Sequence, residues 1–207
     1  MAAYLCRPYS EKPLEEDNRS RLLELLRTLA YQEGEFTLRS GEKSRFYLDG
    51  KQITMRAEGS YLLAQEILRR LEDIDVVAVA GPTLGADPIV GAVCALSYPA
   101  GKPLDALIVR KEAKDHGTGR LIEGPELPPG SPVAIVEDVV TRGGMVQHSI
   151  RAIEAAGYHV ARVICLVDRQ AGGVDEIAAS GYTVDPIFTL REIVQAYSSS
   201  QASEPSL

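Results

Sequence analysis

The sequence predicts an α/β protein built on a mostly parallel central sheet with helices on both faces. Three short apolar runs lead to this prediction: VVAVA at 76–80, PVAIV at 132–136 and HVARVICLV at 159–167. The first run shows no polar alternation, as expected of a strand buried on both faces, and the other two are of the same type. A helical segment, 144–157, separates the last two runs. Strands that alternate with helices favour parallel pairing.

The other elements follow from periodicity and turn residues. Amphipathic helices are predicted at 14–34 and 57–74, with a hairpin between them at 35–54. A fourth buried strand is predicted at 105–110, a final strand at 182–188 and a final helix at 189–197. Gly34 is the predicted stop of the first helix, and Ser40-Gly41 the predicted turn of the hairpin. The polar segment 198–207 is predicted to be disordered. The chain is therefore expected to form one domain over residues 1–197.

Composition excludes several classes of function. The 207 residues are 45% hydrophobic and carry a formal net charge of −7, so no nucleic-acid-binding footprint is present at the level of the chain. No apolar run approaches the length of a membrane span, and the N-terminus lacks the basic start and apolar core of a signal peptide. Three scattered cysteines show no metal-binding spacing. They suggest reduced thiols, and we expect a cytoplasmic protein.

The segment VAIVEDVVTRGG, residues 133–144, joins two kinds of chemistry at the end of a predicted strand. Adjacent Gly143 and Gly144 before a helix allow backbone N–H groups to approach a phosphate, and Thr141 can donate a hydroxyl. Glu137 and Asp138 instead suit hydroxyls or a metal ion. A phosphorylated sugar satisfies both requirements. The alternative is a capped helix start at which the dipole favours acids. The patterns GxxxxGK[ST] and GxGxxG are absent, which argues against nucleoside triphosphates and dinucleotides.

A second loop, RKEAKDHGTGRLIEG at 110–124, concentrates positive charge in an acidic protein. Its basic side chains are Arg110, Lys111, Lys114, His116 and Arg120. Cations on a glycine-rich loop suit a lid that closes over an anionic leaving group. The alternative is a solvated surface loop.

These motifs carry a resemblance to a known family. VEDVVTRGG resembles the phosphoribosyl pyrophosphate (PRPP) signature of type I phosphoribosyltransferases. FTLRSGEKSRFYLD, RKEAKDHGTGRLIEG and LVDRQAGG resemble the orotate phosphoribosyltransferase branch, and the match runs from about residue 36 to about residue 173. The resemblance implies the type I phosphoribosyltransferase fold, with a small N-terminal hood contributed by about 1–55 and part of the C-terminus.

The resemblance also implies a reaction. Orotate attacks the anomeric carbon of PRPP, giving orotidine 5′-monophosphate and pyrophosphate in UMP biosynthesis. Mg²⁺ is held mainly through PRPP, with no direct protein ligand. The implied catalytic residues are Lys114, His116 and Asp138. The implied PRPP-binding residues are Arg39, Arg110, Lys111, Lys114, His116, Glu137, Asp138, Val139, Val140, Thr141, Arg142, Gly143, Gly144 and Met145, and those for orotate are Thr141 and Arg169.

Within that set, Glu137 and Asp138 would meet the ribose 2′ and 3′ hydroxyls, and residues 139–145 would surround the 5′-phosphate. The cations of loop 110–120 would bind pyrophosphate, with the lysines and His116 arriving from the partner subunit of a homodimer. Arg169 would bind the orotate carboxylate, which a planar guanidinium suits.

Two residues and one loop depart from the family pattern. Arg142 stands where Thr or Ala is usual, and Met145 where Ser or Thr is usual. Loop 81–88, GPTLGADP, lacks the lysine that many bacterial relatives carry. Two alternatives therefore stay open: a regulatory PRPP-binding protein without catalysis, and a phosphoribosyltransferase for a purine base. Lys111, Lys114 and His116 favour the enzyme, and Arg169 favours orotate.

Several residues near these motifs have a structural interpretation. Asp168 either orients Arg169 or caps a turn. His148 and His159 are interpreted as structural rather than catalytic, and aromatic Phe46 and Tyr47 as parts of a hairpin core.

Overall fold

The computed structural model describes residues 15–37, 43–112 and 120–201, and the side chains from residue 18 onward within these ranges. The N-terminal elements are α1 (Glu15–Leu25), a π-helical turn (Leu26–Ala30), β1 (Tyr31–Thr37), β2 (Lys43–Leu48), α2 (Lys51–Thr54) and α3 (Ala57–Arg70). Strands β1 and β2 pair antiparallel, as the predicted hairpin requires. The predicted turn at Ser40-Gly41 lies outside the described residues.

The prediction that the first helix continues to Gly34 is wrong. The helical segment ends at Ala30, and Gly34 lies inside β1. Tyr31 is buried, stacks on Phe46 of β2 and meets Tyr197 edge to face with ring centroids 5.1 Å apart. These contacts join distant parts of the chain, so they override the local helical periodicity.

The central sheet confirms the predicted fold class. Its strands are β3 (Ala78–Pro82), β4 (Asp105–Val109), β5 (Ile122–Glu123), β6 (Pro132–Val140), β7 (His159–Asp168) and β8 (Val184–Thr189). They lie in the order β5-β4-β3-β6-β7-β8. All neighbouring pairs are parallel except β4–β5. β5 falls in the loop predicted as a lid, so the end of that loop is a short edge strand.

Both faces of the sheet are covered by helices. These are α3 and the later helices α4 (Asp87–Ser97), α5 (Gly144–Ala155), α6 (Gly173–Ala179) and α7 (Leu190–Gln201). Alternate side chains of a strand point to opposite faces, so the sheet contributes to two cores. Val79 belongs to the core with α1, α3, α4 and α7, whereas Ala78 and Ala80 belong to the core with α5. The runs that predicted these strands are mainly apolar because helices cover both faces of the sheet, and His159 and Arg162 of β7 are the polar exceptions.

The predicted disordered tail begins too early. α7 continues through Gln201, and residues 202–207 lie outside the described part of the chain. The hydroxyls of Ser198, Ser199 and Ser200 donate to helix carbonyls three or four residues earlier, so their polar groups are bonded within the helix. Among the described residues, no helix combines the length and the apolar character that a membrane crossing needs.

Candidate active site

The two acids of the β6 motif lie buried, side by side, at the carboxyl end of the central strand. Glu137 is 8% exposed and Asp138 9%. Each carboxylate accepts the next backbone N–H: Glu137 Oε1 from Asp138 at 3.1 Å, and Asp138 Oδ1 from Val139 at 2.8 Å. Burial, followed by the neighbouring Asp138 charge, raises the pKa of Glu137 to about 9. Two buried acids in contact are costly unless a ligand uses them.

Two glycines allow other segments to approach Asp138. A Cβ on Gly85, in the loop after β3, would lie 2.6 Å from Asp138 Oδ1 and 3.0 Å from Glu137 Oε1. A Cβ on Gly50, at the start of α2, would lie 3.0 Å from Asp138 Cβ. Real Cβ atoms do not tolerate the first of these contacts. The acid pair is therefore enclosed by backbone from both sides.

The residues after the acids form an anion-binding turn. Gly143 has φ of +71° and directly precedes α5, whose first residue is Gly144. Thr141, Arg142 and Gly144 are exposed, and the first N–H groups of a helix have no partner within it. The start of α6 holds the turn in place, because the Gly173 N–H donates to Thr141 O at 3.1 Å. This geometry suits a phosphate.

The acids and the turn open into one cavity of about 440 Å³. It brings together ten of the predicted site residues: Lys111, Glu137, Asp138, Val139, Val140, Thr141, Arg142, Gly143, Gly144 and Met145. Thr83, Leu84 and Gly85 of the β3–α4 loop form another part of the wall. Lys51 also lines the cavity, although no sequence motif indicated it. Its basic side chain, soon after the hairpin, was the one sequence feature that could have indicated it. No neighbouring residue relates it to Glu137, which lies 86 positions later in the chain.

Two predicted residues lie outside this cavity. The Arg110 guanidinium pairs with Glu123 at 3.5 Å. The Arg169 guanidinium lies over the Phe46 ring at 5.2 Å, and its backbone N–H donates to Val140 O at 2.9 Å, next to the cavity wall. Burial lowers the pKa of Arg169. Arg39, Lys114 and His116 fall outside the described residues, so their assignments stay predictions.

The open structural interpretations can now be distinguished. Asp168 Oδ1 accepts the Gln170 N–H at 2.7 Å, so Asp168 caps a turn. His148 Nε2 lies 2.8 Å from Arg110 O, which fixes the start of the basic loop to α5. Phe46 packs on Tyr31 and also beneath Arg169, so it contacts both the core and a residue predicted to bind orotate.

Glu137→Gln is expected to stabilise the free protein at pH 8. The folded protein retains a proton on Glu137 that the unfolded chain loses above its ordinary pKa of 4.5, until the folded pKa of about 9 is reached. Stability from this group therefore falls as pH rises through that window. At pH 8 the variant should exceed wild type by on the order of 1–3 kcal/mol in free energy of unfolding, and the gap should close towards pH 5.

Urea unfolding between pH 5 and pH 8 measures this difference. Glu72→Gln, at an exposed glutamate after α3, is the matched control and should follow wild type at every pH. A Glu137→Gln protein that is less stable than wild type at pH 8 would show that the buried carboxylate is ionised and well solvated or paired.

Comparison with known proteins gives one consistent result. No protein-family model matches the chain. It is 50% identical over 179 residues to an orotate phosphoribosyltransferase of Synechocystis, covering 86% of this chain and 90% of that one. It is 38% identical over 184 residues to the orotate phosphoribosyltransferase of Corynebacterium glutamicum, covering 89% and 98% respectively.

Solved structures agree with these relatives. A crystal structure of Mycobacterium tuberculosis orotate phosphoribosyltransferase with Fe(III) dicitrate superposes with a TM-score of 0.76 at 36% identity, covering 85% of this chain and 98% of that one. The same enzyme in complex with PRPP gives 0.72 at 32% identity, covering 85% and 98%. Relatives above 30% identity match along most of their length and share the fold that carries the acid pair and the phosphate turn. The chain belongs to the orotate phosphoribosyltransferase family.

Proposed function

We propose that this chain transfers the 5-phosphoribosyl group of PRPP to orotate, giving orotidine 5′-monophosphate and pyrophosphate in UMP biosynthesis. One observation carries the proposal: a buried acid pair and an anion-binding turn share a single cavity. A ribose phosphate needs both, because its diol suits carboxylates and its phosphate suits backbone N–H groups. Membership of the orotate phosphoribosyltransferase family identifies orotate as the base and pyrophosphate as the leaving group.

The arrangement of charge supports the chemistry. When the anomeric C–O bond breaks, positive charge develops on the ribose and negative charge on pyrophosphate. The Asp138 carboxylate, beside Glu137 in the cavity, would face the first. Lys111 was expected to arrive from the partner subunit, but it lines the cavity of its own chain, where it would face the second. Groups already oriented towards developing charge stabilise a transition state without reorganising.

The remaining cations complete the proposal. Lys114 and His116 bind the departing pyrophosphate from the partner subunit of a cytoplasmic homodimer, through loop 110–120, and Arg39 and Arg110 contribute further charge near PRPP. Closure of that loop would exclude water, which competes for an activated sugar. The hood proposed at about residues 1–55 and part of the C-terminus is described here over residues 15–37 and 43–55 and α7. The Arg19–Glu192 ion pair at 2.5 Å and the Tyr31–Tyr197 contact support this grouping.

Mg²⁺ is the proposed cofactor. Glu137 and Asp138, the two acidic side chains in the cavity, would meet the ribose hydroxyls. Mg²⁺ commonly keeps phosphate oxygens and water as ligands, so an ion held mainly through PRPP, with no direct protein ligand, fits this site. When bound, Mg²⁺ would neutralise charge on pyrophosphate.

Turnover of orotate with PRPP and Mg²⁺, followed by loss of orotate absorbance, tests the function. Consumption of orotate with release of pyrophosphate is expected. Binding of PRPP without turnover of any base would instead indicate a regulatory protein. Turnover of adenine or guanine in place of orotate would indicate a purine enzyme.

Arg169→Ala is expected to raise the KM for orotate about tenfold or more while the KM for PRPP changes less than about twofold. The guanidinium is held over Phe46 beside the cavity wall and would bind the orotate carboxylate in ground and transition states alike. Steady-state kinetics with each substrate varied in turn measures the split. Arg191→Ala, at an exposed arginine of α7, is the control. Equal increases in both KM values would show that the base lies elsewhere.

A further inference from the structure

Lys51 is a cavity-lining cation that neither the motifs nor the proposed mechanism uses. It is the first residue of α2, directly after the hairpin. Its ammonium lies 2.8 Å from Asp49 Oδ1 and 4.0 Å from Asp138 Oδ2. Its side chain is 42% exposed and faces the cavity. The hydrogen bond that the Lys51 ammonium donates to Asp49 raises the pKa of Lys51, and the charge of Asp138 adds to this effect.

The two oxygens of Asp138 have different environments. Oδ1 accepts the Val139 N–H at 2.8 Å and packs against Gly85. Oδ2 lies on the side of Gly50 and Lys51. A carboxylate with one oxygen bonded to its own strand retains one oxygen for a substrate hydroxyl. Lys51 stands beside that second oxygen, so it can set both the rotamer and the charge balance of Asp138.

The opposite wall cannot supply a cation at this place. Gly85 of loop 81–88 lies against the acids, and a Cβ there would collide with Asp138 Oδ1 at 2.6 Å. Among the described residues of the cavity, the other basic side chains are Lys111 and Arg142, both on exposed loops. Lys51 is the cation whose nitrogen is held by a neighbouring carboxylate and directed at the acid pair.

We propose that Lys51 is a positioning residue of the active site, which orients Asp138 and offsets its charge beside Glu137 while an anionic substrate binds. The inference rests on the proposed function through the role of Asp138. A nearby cation matters at this site because the Asp138 carboxylate repels the anionic PRPP unless its charge is balanced. Asp49 keeps the ammonium in place, since a lysine held by one fixed partner loses less freedom when a second group approaches.

Lys51→Met, Lys51→Arg and the exposed control Arg21→Met test this inference. Methionine retains length without charge, and arginine retains the charge. The Arg21 guanidinium lies 2.7 Å from the Glu58 carboxylate, and neither residue lines the cavity. The control therefore removes one cation and one ion pair of the same kind at a different place. Each variant is measured by orotate turnover and, separately, by calorimetric binding of PRPP with Mg²⁺.

Lys51→Met is expected to lower kcat/KM for PRPP about tenfold, with the KM for orotate within about twofold of wild type. Lys51→Arg should recover most of the loss, which a purely structural role would not predict. In an Asp138→Asn background, Lys51→Met should cause little further loss, because Lys51 acts through that carboxylate.

The two measurements separate the inference from the function on which it rests. If wild type binds PRPP but does not consume orotate, the proposed function fails. The positioning role of Lys51 is then tested by PRPP affinity alone. Affinity that falls in Lys51→Met, recovers in Lys51→Arg and is insensitive to Lys51→Met in the Asp138→Asn background supports the inference. The inference is overturned if Lys51→Met changes turnover and PRPP affinity no more than Arg21→Met does. It is also overturned if Lys51→Met causes its full loss in the Asp138→Asn background, or if wild type does not bind PRPP.

Discussion

Asp138→Asn is expected to lower kcat for orotate turnover by about ten- to a hundredfold, the loss that follows removal of one preorganised charge from a transition state. The carboxylate is 9% exposed, and its Oδ1 is already held by the Val139 N–H at 2.8 Å. Asparagine preserves the shape and that hydrogen bond but removes the negative charge that faces the ribose. The effect should therefore appear in turnover rather than in folding.

The control for this variant is Asp73→Asn, at an exposed aspartate in the turn after α3. Thermal unfolding should show Asp138→Asn to be close to wild type in stability, because asparagine retains the shape of the side chain and an oxygen that can accept the Val139 N–H. A stable and fully active Asp138→Asn protein would return the acid pair to the alternative of a helix start favoured by its dipole.

Two inactive variants are expected to complement one another. Lys114→Ala should lower kcat strongly while PRPP still binds, because the charge is needed most as pyrophosphate departs. If loop 110–120 reaches across a two-fold dimer, a Lys114→Ala/Asp138→Asn heterodimer has one site with both residues intact and one with both defects. Random exchange makes about half the dimers mixed, so activity should recover to about a quarter of wild type.

Subunit exchange must be shown independently for this experiment. Native mass spectrometry of the mixture measures the fraction of heterodimers. A mixture of Lys114→Ala with the single-site control Asp73→Asn shows the activity expected from an unaffected acid pair. Heterodimers that form while activity stays at the level of the separate variants would place Lys114 in the site of its own chain.

The amino-acid pattern was enough to predict the class of the sheet and the chemistry of the loop after β6. β3, β6 and β7 were predictable because a strand covered on both faces is mainly apolar, and this is a local property of composition. The acids and glycines at 137–144 were predictable because phosphate turns depend on consecutive residues. The strand bounds shifted by one to four residues, as in β6, which continues through the acids to Val140.

Contacts between residues far apart in the chain were not predictable, because they depend on how the helices and strands pack. Tyr31 begins a strand although its surroundings have helical periodicity, because Phe46 and Tyr197 bury its ring. Lys51 approaches Asp138 because the end of the hairpin packs against the end of β6, with Gly50 small enough to permit it. Such contacts depend on how elements pack rather than on the residues beside them in the chain, so neither periodicity nor motif spacing contains them.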